Sequence, residues 1–401
     1  MTEIGEIPSE WKVKKLGEIT IGKGEYGIGA SATEYIEGKP RYLRITDIGD
    51  SCRLLFNDIK GLDDADYEKY ILKEGDIVFA RTGNTTGKGY VYNREHGELV
   101  YAGFLIKYSI DNNIAKHNFI KYVIQSKRYW DWVNIMSTRS GQPGINSNEY
   151  SSFIVQLPPL KEQEKIASIL STVDEQIDNV DALIEKNKEL KKGLMQTLLT
   201  KGIGHTKFKK SEIGEIPEEW EVKKLECVFE ILDSMRKPIK ASDREKIEGD
   251  IPYYGASGVI DWINDYIFDE ELILLGEDGE NLNSRNSDLA FKISGKTWVN
   301  NHAHVFRVIN KKECNIDFMV YYLEAKDYSI YIAGSAQPKI TQAQCRKFLL
   351  PLPKKEEQDK IASILSEVDE KIAKYENKKQ MLEELKKGLM QQLLTGKIRV
   401  K

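Results

Sequence analysis

Cysteine is scarce in this chain. The four present, Cys52, Cys227, Cys314 and Cys345, share no C-x-x-C pairing or common spacing. That argues against a disulfide framework or a zinc ribbon and favours a reducing compartment. No uninterrupted apolar run approaches the roughly 18–20 residues that span a bilayer, and the acidic start MTEIGEIP lacks the apolar core of a secretory signal. A cytoplasmic protein with no membrane partner is the expectation. An excess of positive charge is also missing: 59 Lys and Arg stand against 63 Asp and Glu, a net charge of −4. This argues against non-specific coating of nucleic acid, but not against a local basic face. Much of the acid sits in KEQEK, DEQID, EEQDK and DEKIA, expected to be solvated or partner-facing surfaces.

Catalytic signatures are absent as well. No (N/D)PP(Y/F/W) tetrapeptide occurs, so the loop that presents a flipped adenine for N6-methylation is missing. No G-x-G-x-x-G is expected to follow a strand, so no dinucleotide turn is signalled. Gly83-Asn84-Thr85-Thr86-Gly87-Lys88-Gly89 is one residue short of a phosphate loop and has no Ser or Thr after Lys88. It is read as a glycine turn between strands that brings Asn84, Thr85 and Lys88 toward a ligand. His302 and His304 alternate and would share one face of a strand, but no further metal ligands lie near them. Glu277-Asp278 is read as an acidic glycine turn rather than a catalytic pair. No catalytic residue, cofactor or metal is expected.

What the chain does contain is a duplication. IGEIPSEWKVKKLGE at 4–18 returns as IGEIPEEWEVKKLEC at 213–227, with 11 of 15 positions identical. IASILSTVDEQID at 166–178 returns at 361–373, and ELKKGLMQTLLT at 189–200 returns at 384–395. The first pair is offset by 209 residues and the others by 195. A frame is thus repeated around two unlike inserts. The sequence after the second helix leads as naturally into residue 1 as the mid-chain junction leads into residue 212, which predicts ends that are close in space.

Two segments carry a helical stripe at alternating spacings of three and four. The first runs through Ile166, Leu170, Val173, Ile177, Val180, Leu183, Asn187, Leu190 and Leu194. The second runs through Ile361, Leu365, Val368, Ile372, Tyr375, Lys378, Leu382, Leu385 and Leu389. Each has two successive threes near its middle, a local irregularity. Pro158 and Pro159, and Pro351 and Pro353, precede the helices. Gly193 and Gly388 are either tolerated glycines or points of close helix approach. The inserts read as short strands at 75–80, 89–92, 104–108, 271–276 and 303–309, followed by tyrosine-rich helices at 119–133 and 318–332.

The expected fold is α+β: two α+β domains separated by two long antiparallel helices in a coiled coil, with a pseudo-twofold internal repeat. Boundaries are expected at 1–157 and 202–351 for the domains, and at 158–201 and 352–401 for the helical spacers.

IPxEW(E/K)VKKL, LPPLKEQEKIASIL and KKGLMQTLLT, duplicated around unlike inserts, make the whole chain resemble the specificity subunits of type I restriction-modification systems. That resemblance implies two target recognition domains, each reading half of a bipartite site in double-stranded DNA. It also implies helices that act as a ruler and dock two DNA-adenine methyltransferase subunits, with motor-nuclease subunits joining for restriction. Unlike inserts imply an asymmetric site.

Base edges are best read by Arg on guanine and by Asn or Gln on adenine. Candidates in the first domain are Arg44, Arg81, Thr82, Asn84, Thr85, Lys88, Arg139 and Gln142. In the second they are Lys237, Asn281, Arg285, Asn301, His302, Gln337 and Lys339. Arg81-Thr82-Gly83 aligns with Glu277-Asp278-Gly279. Gln142 and Gln337 occupy matching loops and are read either as structural hydrogen-bond formers or as DNA contacts. Leu194, Leu198, Leu389 and Leu393 are the expected partner-binding residues.

Overall fold

A computed structural model describes residues 7–64, 66–138, 143–332 and 338–400. The chain divides into two compact units. Unit 1 comprises 1–180 and 378–401, and unit 2 comprises 181–377.

Each unit is built on a four-stranded antiparallel sheet. In unit 1 the strands are β1 (Thr20–Tyr26), β2 (Asp76–Ala80), β3 (Gly89–Val91) and β4 (Leu105–Ile110), in the order β1-β4-β2-β3. In unit 2 they are β5 (Phe229–Ile231), β6 (Leu272–Gly276), β7 (Ala290–Ile293) and β8 (Ala303–Val308), in the equivalent order β5-β8-β6-β7. Both central strands are apolar at nearly every position because both sheet faces are covered. On β2, Ile77 and Phe79 face the helical core while Val78 and Ala80 face a second cluster with Leu43, Leu72 and Tyr101. On β6, Ile273 and Leu275 take the first side, and Leu272 and Leu274 the second. The GKGEYG run at 22–27 lies largely within β1 and opens no helix.

The expected tyrosine-rich helix of unit 1 is two helices, His117–Val123 and Lys127–Ser137. Ser126 breaks it by accepting the Tyr129 N–H as an N-cap. Its counterpart in unit 2 is the single helix Ile316–Ala325.

The repeated motifs close each unit. Lys12–Lys15 pairs antiparallel with Ile154–Leu157, and Glu221–Lys224 pairs with Leu349–Leu352 in the same register. The strands at 154–157 and 349–352 lead into the long helices α1 (Leu160–Lys201) and α2 (Lys355–Leu393). Trp11 donates to Glu162 at 3.2 Å, and Trp220 donates to Glu357 at 3.0 Å. Arg399 grips the same Glu162 at 2.7 and 2.8 Å and reaches Glu10 at 2.7 Å, which bears out the expected closeness of the two ends at residues 10 and 399. In unit 2, His205 takes the equivalent seat on Glu357 at 2.9 Å. Gly396 and Gly202, both left-handed with φ of 72° and 64°, bring these segments onto the tryptophans. A Cβ on Gly202 would come within 2.8 Å of the Trp220 ring.

Two glutamines in the acidic motif are interior, contrary to the expectation of a solvated surface. Gln163 accepts the Lys116 N–H at 2.8 Å and donates to the Pro158 carbonyl at 2.9 Å. Gln358 accepts the Asn315 N–H and donates to the Glu313 and Pro353 carbonyls, each at 2.8 Å. Each pins the loop after the fourth strand of its sheet to the start of a long helix. Glu162 is buried too.

The helical stripe also differs from expectation in its middle. Ile184 is buried and Leu183 exposed; Lys386 is buried and Leu385 exposed. The spacing therefore stays at a regular alternation of four and three through Ile184 and Lys191 on α1, and through Lys379 and Lys386 on α2. No doubled three occurs. At 183–184 one apolar residue takes the place of another; further along each helix, where Lys191 and Lys386 stand in for Leu190 and Leu385, the reason is electrostatic. Within unit 1, Lys386 pairs with Asp174 at 2.7 Å, and within unit 2, Lys191 pairs with Asp369 at 2.6 Å. Tyr122 and Tyr321 donate to the same carboxylates. A lysine with a partner displaced a leucine from the stripe.

Candidate nucleic-acid interface

In both units one end of the sheet carries the loops that the sequence alignment juxtaposed, and the backbone treats them alike. The Gly83 N–H donates to the Pro143 carbonyl and the Ile145 N–H to the Arg81 carbonyl. In unit 2, Gly279 donates to Pro338 and Ile340 to Glu277. Thr82 bridges Gly144 as Asp278 bridges Lys339. Arg81 and Glu277 thus occupy one frame position with opposite charge.

In unit 1 the Arg81 guanidinium lies 4.9 Å over the Tyr26 ring, and the Arg81 backbone N–H donates to the carbonyl of the exposed Phe104. Asn84 is exposed on the turn Gly83–Thr85, whereas the Thr85 hydroxyl is buried. Lys88 pairs with Asp50 at 2.9 Å. Gly87 is already engaged, its N–H by Ala80 and Tyr150 and its carbonyl by Tyr129, so this turn is knitted by tyrosines and cradles no phosphate. Arg44 is held by Asp47 at 2.7 Å and Asp58 at 3.1 Å. The Asp47 bond outweighs burial and raises its pKa. Its guanidinium is a structural tie.

In unit 2, Lys237 and Asn301 are exposed, and His302 bonds to Asp278 at 2.9 Å. His302 lies in the turn before β8 and His304 within it, so the two histidines do not share a face as expected. Asn281 is turned inward on itself, its amide closing a loop onto the Ser287 N–H and carbonyl at 3.0 Å each. Arg285, at φ 51°, donates to the Glu324 and Lys326 carbonyls and stacks on Tyr328. Asn281 and Arg285 are therefore structural. Arg139, Gln142 and Gln337 lie outside the described residues.

Unit 2 also holds a polar cluster that the sequence did not announce. His304 is buried, with Nδ1 2.6 Å from Asp233 and Nε2 2.9 Å from the Ile340 carbonyl. Burial works against its charge, but the Asp233 bond and the neighbouring Cys345 sulfur prevail and push its pKa up to about 10. Glu277 accepts from Arg236 at 2.5 Å and pairs with Lys339 at 2.9 Å. Burial opposes the Glu277 charge too, yet these two cations hold its pKa below the usual carboxylate range.

Asp233, Glu277 and His304 lie close enough to hold a metal ion, but the donor set does not fit one. A carbonyl only accepts, so Nε2 carries a proton; with the raised pKa, Nδ1 carries one as well, leaving no lone pair for a metal. Arg236 and Lys339 already supply the positive charge. Nor does the Cys345, His304 and Asp233 grouping serve a nucleophile's chemistry, since the cysteine and the histidine are both sealed from solvent.

The four leucines expected to face a partner turn inward instead. Leu198 belongs to the core of unit 2 with Leu194 packed against it, and Leu393 to that of unit 1 with Leu389 packed against it. The exposed pair at equivalent positions is Leu190 and Leu385, at 50% and 51%.

A family model described as the type I restriction modification DNA specificity domain matches residues 8–190 and again 217–384. A putative type I restriction enzyme MjaX specificity subunit of Methanocaldococcus jannaschii is 31% identical over all of this chain and 96% of its own length. The EcoKI specificity subunit of Escherichia coli K12 is 24% identical over 54% of this chain and 47% of its own. Among solved structures, the type I restriction-modification S subunit from M. genitalium shares the fold, with a TM-score of 0.64 at 15% identity over 98% of each chain.

Proposed function

Because the chain belongs to the type I restriction-modification DNA specificity family and carries its domain twice, we propose that each unit reads one half of an asymmetric, bipartite site in double-stranded DNA. The observation that carries this is the contrast at one frame position: identical backbone bonds present Arg81 in unit 1 and Glu277 in unit 2. Two loops held alike but carrying different side chains suit two different base sequences. Asn84, Lys88, Lys237, Asn301, His302 and Lys339 remain as contacts to bases or phosphates; phosphate contacts position without specifying. The test is to exchange residues 19–156 for the matching insert of another family member. Methylation mapping is then expected to show one altered half-site, and alteration of both would end the reading.

The helices α1 and α2, each shared by both units, are proposed to set the length of unread DNA between the half-sites and to dock two DNA-adenine methyltransferase subunits, with motor-nuclease subunits joining for restriction. The equivalent exposed leucines, Leu190 and Leu385, support two equivalent docks. Leu190→Asp and Leu385→Asp are each expected to remove one methyltransferase in sedimentation, and the double change both. One partner per wild-type chain at saturation would overturn this. Alone, the chain is expected to transfer no methyl group from S-adenosylmethionine. Among the described residues no helix is long and apolar enough to cross a membrane, and a cytoplasmic site of action is proposed.

A further inference from the structure

We infer that Arg81 reads a guanine in the half-site of unit 1, with Tyr26 as its positioning residue, and that Glu277, the same frame position in unit 2, reads no base. The inference rests on the proposed DNA-reading function and deepens it. An arginine can read a guanine O6 and N7 together only if both its donors face outward and its plane is fixed. Arg81 has its plane fixed and its side-chain donors unspent among the described residues. Among the described residues it has no carboxylate partner, in contrast to Arg44, which Asp47 and Asp58 occupy. Its plane is set by the Tyr26 ring 4.9 Å away, a contact that orients a guanidinium without consuming its N–H groups. The ring is anchored in turn, because the Tyr26 hydroxyl accepts the Ser147 N–H at 3.3 Å. The backbone of Arg81 is bonded on both sides, to Phe104 and to Ile145, so its side chain leaves a rigid loop.

Unit 2 offers no equivalent. Glu277 is buried and bonded to Arg236 and Lys339. Arg244 pairs with Asp261 and Arg307 with Glu270 and Glu230, while Arg285 is spent on carbonyls. Arg346 is exposed, but it follows the short helix Gln342–Cys345 just before the frame strand Leu349–Leu352 and belongs to neither the 277–279 nor the 300–302 loop. The second half-site is therefore read through Asn301, through the His302–Asp278 pair and through Lys339, without an arginine from those loops.

The experiment replaces the gene in its own host with variants and maps methylated adenines. Deleting the gene first identifies the motif that depends on it; if no motif disappears, the DNA-reading function itself fails, whatever Arg81 does. With the motif in hand, Arg81→Gln and Arg81→Lys are expected to relax one G·C position of one half-site by on the order of ten- to a hundredfold, with the other half-site unchanged. Tyr26→Phe keeps the ring but loses the Ser147 bond and is expected to relax that position less than Tyr26→Ala, which is expected to relax the same position as Arg81→Gln. An unchanged motif in both Arg81 variants overturns the assignment. So does a uniform loss of methylation with base preference intact, which marks a phosphate contact.

Discussion

Unit 1 and unit 2 agree in the bonds that close their frames and disagree in the side chains that meet within their sheets. Gln163 and Gln358 grip the same backbone groups, and Glu162 and Glu357 seat equivalent tryptophans. On the sheets the ladders also match: Phe79 lies opposite Ile106, and Leu275 opposite His304. Yet Ile106 packs among apolar residues and aromatic rings, while His304 is an imidazolium facing Asp233, with Glu277, Arg236, Lys339 and Cys345 around it. A backbone fixed by its frame can carry an apolar interior in one copy and an ionic one in the other. The contents are then free to differ, which is what two readers require.

The sharpest way to break that comparison is to place the unit 1 residue in unit 2. His304→Ile leaves Asp233 and the Ile340 carbonyl without their partner and is expected to destabilise unit 2 by on the order of 3–5 kcal/mol. Hydrogen exchange resolved by peptide is the measurement, since two units need not unfold together. The pH dependence has a definite sign. The folded pKa of about 10 lies above the ordinary 6.5, so the contribution is fully present below pH 6.5 and is lost as the pH rises through about 10. Unit 2 should lose protection over that window, and the His304→Ile variant should not show this loss. A variant retaining the wild-type pH slope would show that His304 is not its source.

A smaller effect tests the agreement. Gln163→Ala and Gln358→Ala each orphan a buried backbone N–H and carbonyls, and each is expected to cost about 1–3 kcal/mol in its own unit. Because the bonds match within 0.1 Å at the accepted N–H and at the proline carbonyl, the two losses should be equal. A large difference would mean that the frame is equivalent in sequence but not in energy.

Much of this was legible before the structure. The duplicated motifs gave the frame, and the apolar runs at 75–80 and 271–276 gave the central strands, because a sheet covered on both faces leaves a continuous signal. The helices were legible as elements, but not which of their leucines were inside. Past the middle of each stripe, at 190–191 and 385–386, a leucine stands beside a lysine, and hydrophobicity alone chooses the leucine. The lysine's partner, Asp174 or Asp369, lies far away in sequence. The acidic motifs misled for a related reason: Glu162 and Gln163 look solvated until Trp11 and the Lys116 N–H are brought to them. The reading loops showed only that the inserts differ. Which arginine is free depends on every carboxylate around it, so Arg44 and Arg81 could not be told apart.

The finest test lies on the helices, where the frame positions are equivalent and the environments are not. Lys386 is buried in unit 1, its ammonium bonded to Asp174 and to the Gln125 amide oxygen at 2.9 Å, with the Tyr122 ring 5.7 Å away. Lys191 makes the matching bond to Asp369 and lies 5.4 Å from the Tyr321 ring, but its side chain is 28% exposed against 11% for Lys386. Water and salt screen an exposed pair more strongly than a covered one. Replacement by methionine keeps the stem and removes the charge. Lys386→Met is then expected to destabilise unit 1 by about 1 kcal/mol or somewhat more, with little dependence on salt, because Asp174 is left covered beside Tyr122. Lys191→Met should cost unit 2 about 0.5 kcal/mol or less, and that difference should vanish near 1 M salt. If instead the two changes cost the same at every salt concentration, the copies would be equivalent along their helices as well as at their frame, and the differences between the units would be confined to the inserts.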